Sequence, residues 1–208
     1  MALLQVHHHI QPIHGHVAGN QGVYLSSPDF YPVLFHRVPA FVSSRTIPRS
    51  ARKSRISIDK SREIFAEILN CSENEIIFTS GGTESDNAAI KGPVQSLKYF
   101  GNHIITTAAE HHAILHTCLA LEKQGFEITY LPTDKYGIVS KESIFNAIKE
   151  NTVLVSVIYG NNELGSLNPI REIGETLTKL KKTESKVPLF HTDAIQAAPF
   201  LNLDVQKL

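Results

Sequence analysis

The chain has 208 residues, enough for one full domain with a sizeable core at about 100–200 residues per domain. Its formal net charge is zero, which gives no reason to invoke nucleic acid, and no run approaches the roughly 18 apolar residues of a membrane span. The two cysteines, Cys71 and Cys118, lack metal or redox spacing and no basic-then-apolar leader opens the chain, so a reducing, cytoplasmic setting is expected.

The charge is unevenly placed. Residues 1–58 hold Arg37, Arg45, Arg49, Arg52, Lys53 and Arg55 against Asp29 alone. The Arg/Ser-rich stretch 37–57 has the composition of a transit peptide but lies far inside the chain. His7, His8, His9, His14 and His16 could bind a metal adventitiously, and no metal site is assigned. Pro, Gly and Ser recur there without hydrophobic period, which predicts an irregular, disordered or divergent head over residues 1–50.

From residue 58 the pattern becomes regular. Ile58, Phe65, Ile68 and Leu69 fall near one face of a helix over 58–69. Residues 75–79 read as a short strand, and 84–97 as a helix broken at Gly92-Pro93. A strand over 103–107 is followed by a helix from 112 to 123 that stops at Gly125. Further strands are expected at 126–131, 152–158 and 187–191. Helices are expected at 141–150 and from Pro169 to about 182, with a helical turn at 194–198. Strands alternating with helices in this way predict an α/β fold, a mostly parallel sheet flanked by helices. Ligands of such sheets gather beyond the carboxyl ends of the strands.

Four segments fall at those ends. Phe78-Thr79-Ser80-Gly81-Gly82-Thr83 joins an apolar run to a helix through two glycines, the construction of a phosphate cradle, although such a turn can serve plain packing. His111 is a titratable ring suited to stacking or proton transfer, or to capping a helix. Asn162 offers an amide to a ring hydroxyl, but Asn161-Asn162 and Gly165 would also mark a turn. Asp193 ends an apolar run, where a carboxylate needs a cation, a protonated pyridine nitrogen for example, unless it caps the next turn. Cys118 reads as core, Cys71 as the close of a helix, and His191 as a buried structural histidine.

Taken together, Phe78-Thr79-Ser80-Gly81-Gly82-Thr83-Glu84-Ser85-Asp86-Asn87, Glu110-His111, Asn161-Asn162-Glu163-Leu164-Gly165 and His191-Thr192-Asp193-Ala194-Ile195-Gln196 resemble the cysteine desulfurases. These are pyridoxal phosphate enzymes of the class V aminotransferase group. The resemblance covers about residues 51–208, a partial cofactor-binding domain similar to the large domain of fold-type I enzymes. It implies that Gly82 and Thr83 bind the phosphate of pyridoxal 5'-phosphate. It also implies that His111 stacks on the ring and takes part in proton transfer, that Asn162 and Gln196 lie near the ring oxygen, and that Asp193 holds the ring nitrogen. The implied substrate is L-cysteine, whose sulfur passes to an enzyme persulfide for iron-sulfur cluster or thiolation pathways, leaving alanine. A sulfur-acceptor or scaffold protein and a homodimer are the implied partners.

The sequence also departs from the family. It closes at Val205-Gln206-Lys207-Leu208, before the Ser-x-His-Lys motif that carries the Schiff-base lysine and before the loop that carries the nucleophilic cysteine. Lys207, Cys71 and Cys118 match neither. Near the start, Val23-Tyr24-Leu25-Ser26-Ser27-Pro28-Asp29-Phe30-Tyr31-Pro32 only faintly echoes the family's opening strand. A fragment or frame-disrupted gene, inactive alone, is the expectation. The alternatives are a non-catalytic remnant or interaction domain of the same fold, or selenocysteine lyase or another class V enzyme. A nucleotide-binding fold of another class lacks support, because no Gly-x-Gly-x-x-Gly or Gly-Lys-Ser/Thr loop occurs.

Overall fold

In a computed structural model, residues 49–180 and 188–208 are described. The irregular head expected over residues 1–50, with its histidines, lies almost wholly outside them, as does Val187.

Four parallel strands form one sheet: β1 (His103–Thr107), β2 (Glu127–Leu131), β3 (Thr152–Ser156) and β4 (Leu189–His191), in the order β2-β1-β3-β4. The strands are runs of β-branched and aliphatic residues buried on both faces in β1 and β3, as a covered parallel sheet requires. Successive side chains alternate between two cores. Ile104, Leu154 and Leu189 pack with Ile90 and Val94 of α2 (Gly82–Ser96) and with Ile114, Cys118 and Leu121 of α3 (His112–Glu122). Ile105, Val155 and Phe190 pack on the other face with Ile144 of α4 (Lys141–Ala147) and with Ile170, Ile173 and Leu177 of α5 (Ile170–Leu180). The expected α/β architecture is therefore three layers, helix, sheet, helix.

Four local expectations need correction. First, residues 75–79 form no strand of the sheet. Glu75 closes a 3-10 turn over Glu73–Glu75, and the following backbone is engaged elsewhere, with the Ile76 carbonyl accepting from the Arg62 guanidinium. Arg62 also lies over the Phe78 ring, 4.9 Å from its centroid, and Phe65 meets that ring edge-on. An apolar run becomes a strand only where a neighbouring edge is free to pair with it. Second, α2 runs through Pro93 unbroken. Proline in a helix interior costs about 3 kcal/mol, but Ile90 and Val94 on the same buried face are fully buried, and such a side chain stabilises by about 1.5–3 kcal/mol when buried. Third, α1 (Arg49–Leu69) starts earlier than expected, and its apolar face is only partly used. Ala66 and Leu69 are buried, whereas Ile58 and Ile68 stay exposed. Fourth, α4 ends at Ala147 rather than residue 150, because Ile148 turns to extended backbone.

Helix α1 ends in a left-handed cap. Asn70 sits at φ 52°, and the Cys71 and Asn70 N–H groups donate back to the carbonyls of Ala66 and Glu67. A third cluster seals this end. Ala66, Leu69 and Ile76 pack with Ala194, Ala197, Leu203 and Leu208 from the segment after β4. Among the described residues, no helix is long and apolar enough to cross a membrane.

Candidate functional site

The strand order places a topological switch at β1 and β3: from β1 the chain crosses to β2 on one side, then returns to β3 on the other. A crevice opens beyond the carboxyl ends at such a point. Three bonds build it. The Glu110 Oε1 accepts the Ile158 N–H at 2.8 Å and the Thr107 hydroxyl at 2.8 Å, joining the segments that leave β3 and β1. The Asn161 amide Nδ2 donates to the Ala109 carbonyl at 3.1 Å. On the other side, the Val157 and Tyr159 N–H groups donate to the His191 and Asp193 carbonyls, carrying the β3–β4 pairing past the strands to Asp193.

Asp193 is 5 % exposed and its Oδ1 accepts the Ile195 N–H at 3.0 Å. The aspartate thus caps the following turn, one of the two roles its position allowed, just beyond the carboxyl end of β4. Burial raises its pKa, and the Ile195 N–H and nearby His111 pull it back down. His111 caps α3, with its Nδ1 accepting the Ala113 N–H at 3.1 Å. The proton of the neutral ring therefore sits on Nε2.

Helix α2 begins at Gly82, with Gly81 extended at its cap. A Cβ added to Gly81 would meet nothing within 4 Å. Neither close packing nor backbone strain explains this glycine, and the space beside it is open to a ligand at the helix N-terminus. Thr83, in the first turn, lines a groove of about 350 Å³ between α2 and α3 together with Asn87, Lys91, His111 and His116.

Of the six residues expected to share a site, Thr83 and His111 meet in this groove, and His111 lies within electrostatic reach of Asp193. Gly82 precedes Thr83 in the same turn. Asn162 and Gln196 are exposed on the loops that leave β3 and β4. The residue that builds the β3 loop is Asn161. Its Oδ1 accepts the Glu163 and Leu164 N–H groups at 2.9 Å each, and its carbonyl accepts from Gly165, whose φ of 71° suits glycine.

Two further acids belong to the site. Asp86 is 0 % exposed, and neither of its carboxyl oxygens has a hydrogen-bond partner. Burial, then the Asp193 charge, pushes its pKa up to about 7. A position near a helix N-terminus favours charge by only about 1 kcal/mol, whereas burying an unpaired carboxylate costs several. Burial wins. Glu110 is buried with Oε2 unpartnered, and its pKa is pushed up to about 8 by burial, against the two bonds to Oε1, with Asp193 and Asp86 adding to the rise. The Thr192 hydroxyl is likewise buried without a partner. Among the described residues no three His, Cys, Asp or Glu side chains are grouped to hold a metal ion.

Sequence reading singled out neither acid for a role. A signal for Asp86 existed: it shares the helical period of Ala89, Ile90, Pro93 and Val94, which puts a carboxyl on the buried face of α2. Glu110 was marked only by its place after the strand at 103–107 and by its pairing with His111 in the family motif, neither of which gave it a role. The buried Asp193 carboxyl and the open space at Gly81 fit a ligand with a cationic ring nitrogen and a phosphate, the two ends of pyridoxal phosphate.

Known proteins resemble this chain in both sequence and fold. Residues 36–208 match the aminotransferase class-V family, beginning earlier than the motifs did. Cysteine desulfurase IscS of Methanosarcina thermophila is 45% identical over 197 residues, covering 91% of this chain and 47% of that protein. Putative cysteine desulfurase IscS 1 of Bacillus subtilis is 47% identical over 186 residues, covering 88% and 48%. Among solved structures, SspA in complex with cysteine superposes with a TM-score of 0.71 at 36% identity over 82% of this chain and 48% of that one. The apo cysteine desulfurase of Thermococcus onnurineus does so at 0.64 and 28% over 79% and 40%. The chain spans about half the length of these curated relatives. It belongs to the aminotransferase class-V family, and the domain it folds is cysteine desulfurase-like.

Proposed function

We propose that the crevice is the cofactor-binding part of a cysteine desulfurase site, which removes sulfur from L-cysteine to leave alanine and an enzyme persulfide. The observation that carries this reading is Asp193, almost wholly buried at the switch point beside His111, with no lysine or arginine among the described residues acting on it.

Each residue then has a role. Gly82 and Thr83 hold the phosphate through first-turn N–H groups and the Thr83 hydroxyl. Asp193 keeps the ring nitrogen protonated. His111 flanks the ring and carries a proton on Nε2. Asn162 and Gln196 reach the ring oxygen from their loops. When bound, pyridoxal phosphate supplies the electron sink that weakens bonds at the substrate's α-carbon. Neither cysteine here is fitted to attack sulfur: burial pushes the Cys71 thiol up to about 11 and Cys118 up to about 12, so both stay protonated near neutrality. The persulfide therefore forms on a thiolate other than these two. A sulfur-acceptor or scaffold protein and a second copy of the chain are the proposed partners.

Titration of pyridoxal phosphate into the 208-residue chain, followed by cofactor absorbance, tests the reading. Asp193→Ala should weaken binding by about 10- to 100-fold, the worth of a charge-assisted hydrogen bond. Equal binding by the parent and Asp193→Ala would overturn it.

A further inference from the structure

Three carboxyl groups from three segments meet beyond the sheet: Asp86 from α2, Glu110 from the loop after β1, and Asp193 from the loop after β4. The Asp193 charge raises the pKa of both Asp86 and Glu110, and the Asp86 charge adds to the rise at Glu110. Titratable neighbours are few. His111 reaches Asp193, and the Cys118 thiol on α3 faces Glu110. Among the described residues, no lysine or arginine acts on these carboxyls. Three carboxylates in so little space would carry more charge than one ring nitrogen can neutralise.

The bonding separates the three. Asp193 has an N–H donor and His111 beside it, the surroundings of a carboxylate. Glu110 already accepts two donors on Oε1, so a proton on this group sits on Oε2, the oxygen without a partner. Asp86 has no donor on either oxygen. A buried carboxyl without donors is neutral unless a cation joins it.

We propose that Asp86 and Glu110 are positioning residues carried as neutral acids, so that the cradle presents a single carboxylate, Asp193, to one cationic ring nitrogen. The proposal rests on the cofactor reading above. Glu110 acts through the chain: its Oε1 fixes the distance between the β1 and β3 ends, and its protonated Oε2 leaves the net charge of the crevice unchanged. Asp86 closes the crevice from the α2 side on the same terms. Neither side chain is asked to neutralise the ring.

Carbon-13 carboxyl NMR of the unliganded 208-residue chain reads the protonation order directly, with signals assigned by their loss in Asp86→Asn, Glu110→Gln and Asp193→Asn. As pH rises, Asp193 should reach its carboxylate position while Asp86 and Glu110 still show carboxylic-acid positions. Infrared carboxylic-acid bands that persist in the parent after its exposed acids have ionised give the same reading without any variant. Pyridoxal phosphate is the second probe. Asp86→Asn and Glu110→Gln, which mimic the neutral acids, should bind it within about threefold of the parent, and Asp193→Asn at least about tenfold more weakly. Ionisation of Asp86 or Glu110 before Asp193, or a tenfold loss in Asp86→Asn, would overturn the proposal. Absence of cofactor binding by the parent would overturn the functional reading alone, because the protonation order is read without ligand.

Discussion

Each edge of the sheet buries polar side chains, and the two treat them in opposite ways. At the amino edge, His103 is fully buried in β1 and places one ring nitrogen 2.7 Å from the Thr152 hydroxyl and the other 2.8 Å from the Thr129 hydroxyl. One imidazole thereby ties three strands together with nothing left over. At the carboxyl edge, Asp86 makes no hydrogen bond, Glu110 leaves one oxygen bare, and Thr192 leaves its hydroxyl bare. Buried polar groups in folded proteins are nearly always paired. A fully paired set is therefore an element of the scaffold, whereas an unpaired set marks the edge where the candidate site lies. The two edges also respond oppositely to protons. Burial, then the Lys149 charge, lowers the His103 pKa, whereas burial raises those of the carboxyls.

The largest expected effect is at the amino edge. His103→Leu keeps volume but removes two hydrogen bonds, leaving the half-buried Thr129 hydroxyl without its ring partner and the Thr152 hydroxyl with the Lys149 N–H alone, at about 1–2 kcal/mol each. Urea denaturation should show a loss of about 3 kcal/mol near neutrality, with pyridoxal phosphate affinity of the folded fraction unchanged. Because the folded-state pKa is depressed, the parent's neutral His103 stabilises the fold above about pH 6.5 and loses that advantage as pH falls. The gap between parent and variant should therefore narrow on acidification. A gap that stays constant from pH 8 to about pH 5 would contradict a neutral, doubly bonded ring.

Asp86→Asn should do the reverse. The pKa of this carboxyl in the fold is about 7 against an ordinary value of 3.8, so the unfolded chain releases its proton first as pH rises. The parent is then penalised progressively from about pH 4 to pH 7, and the variant is not. Between about pH 5 and pH 8 the variant should gain about 3 kcal/mol relative to the parent, at 1.36 kcal/mol per pH unit over the titrating range. A pH-independent difference would mean that Asp86 is ionised in the fold throughout that range.

The amino edge and the sheet were legible in the sequence because their signals are local. Runs of β-branched residues at 103–107 and 152–158 became β1 and β3, and Gly125 at φ 89° ends the turn after α3 as its position suggested. Residues 75–79 carried the same composition and formed no strand, since composition cannot report whether an edge is free. The carboxyl edge was legible in parts. His111 and Asp193 were singled out from their place after strands and Thr83 from its glycines, and the structure brings His111 near both. The convergence of Asp86, Glu110 and Asp193 was not legible, because it depends on contacts among three segments that span more than a hundred positions.

The smallest effect tests whether His111 belongs to the scaffold or to the site, since it has features of both. Its Nδ1 caps α3 by accepting the Ala113 N–H, while its exposed ring lines the groove shared with Thr83. Loss of such a cap costs about 1 kcal/mol, and asparagine is as good a cap as any residue. His111→Ala should therefore lower stability by about 1 kcal/mol, and His111→Asn should stay within about 0.5 kcal/mol of the parent. Cofactor binding should not follow that order. Asparagine has no aromatic face to lay against a pyridine ring, and aromatic pairing contributes about 0.5–1.5 kcal/mol. Both variants should thus lose pyridoxal phosphate affinity alike, by roughly 2- to 10-fold on that magnitude. If His111→Asn recovers affinity together with stability, the ring serves the helix alone, and His111 moves from the unpaired edge to the paired one.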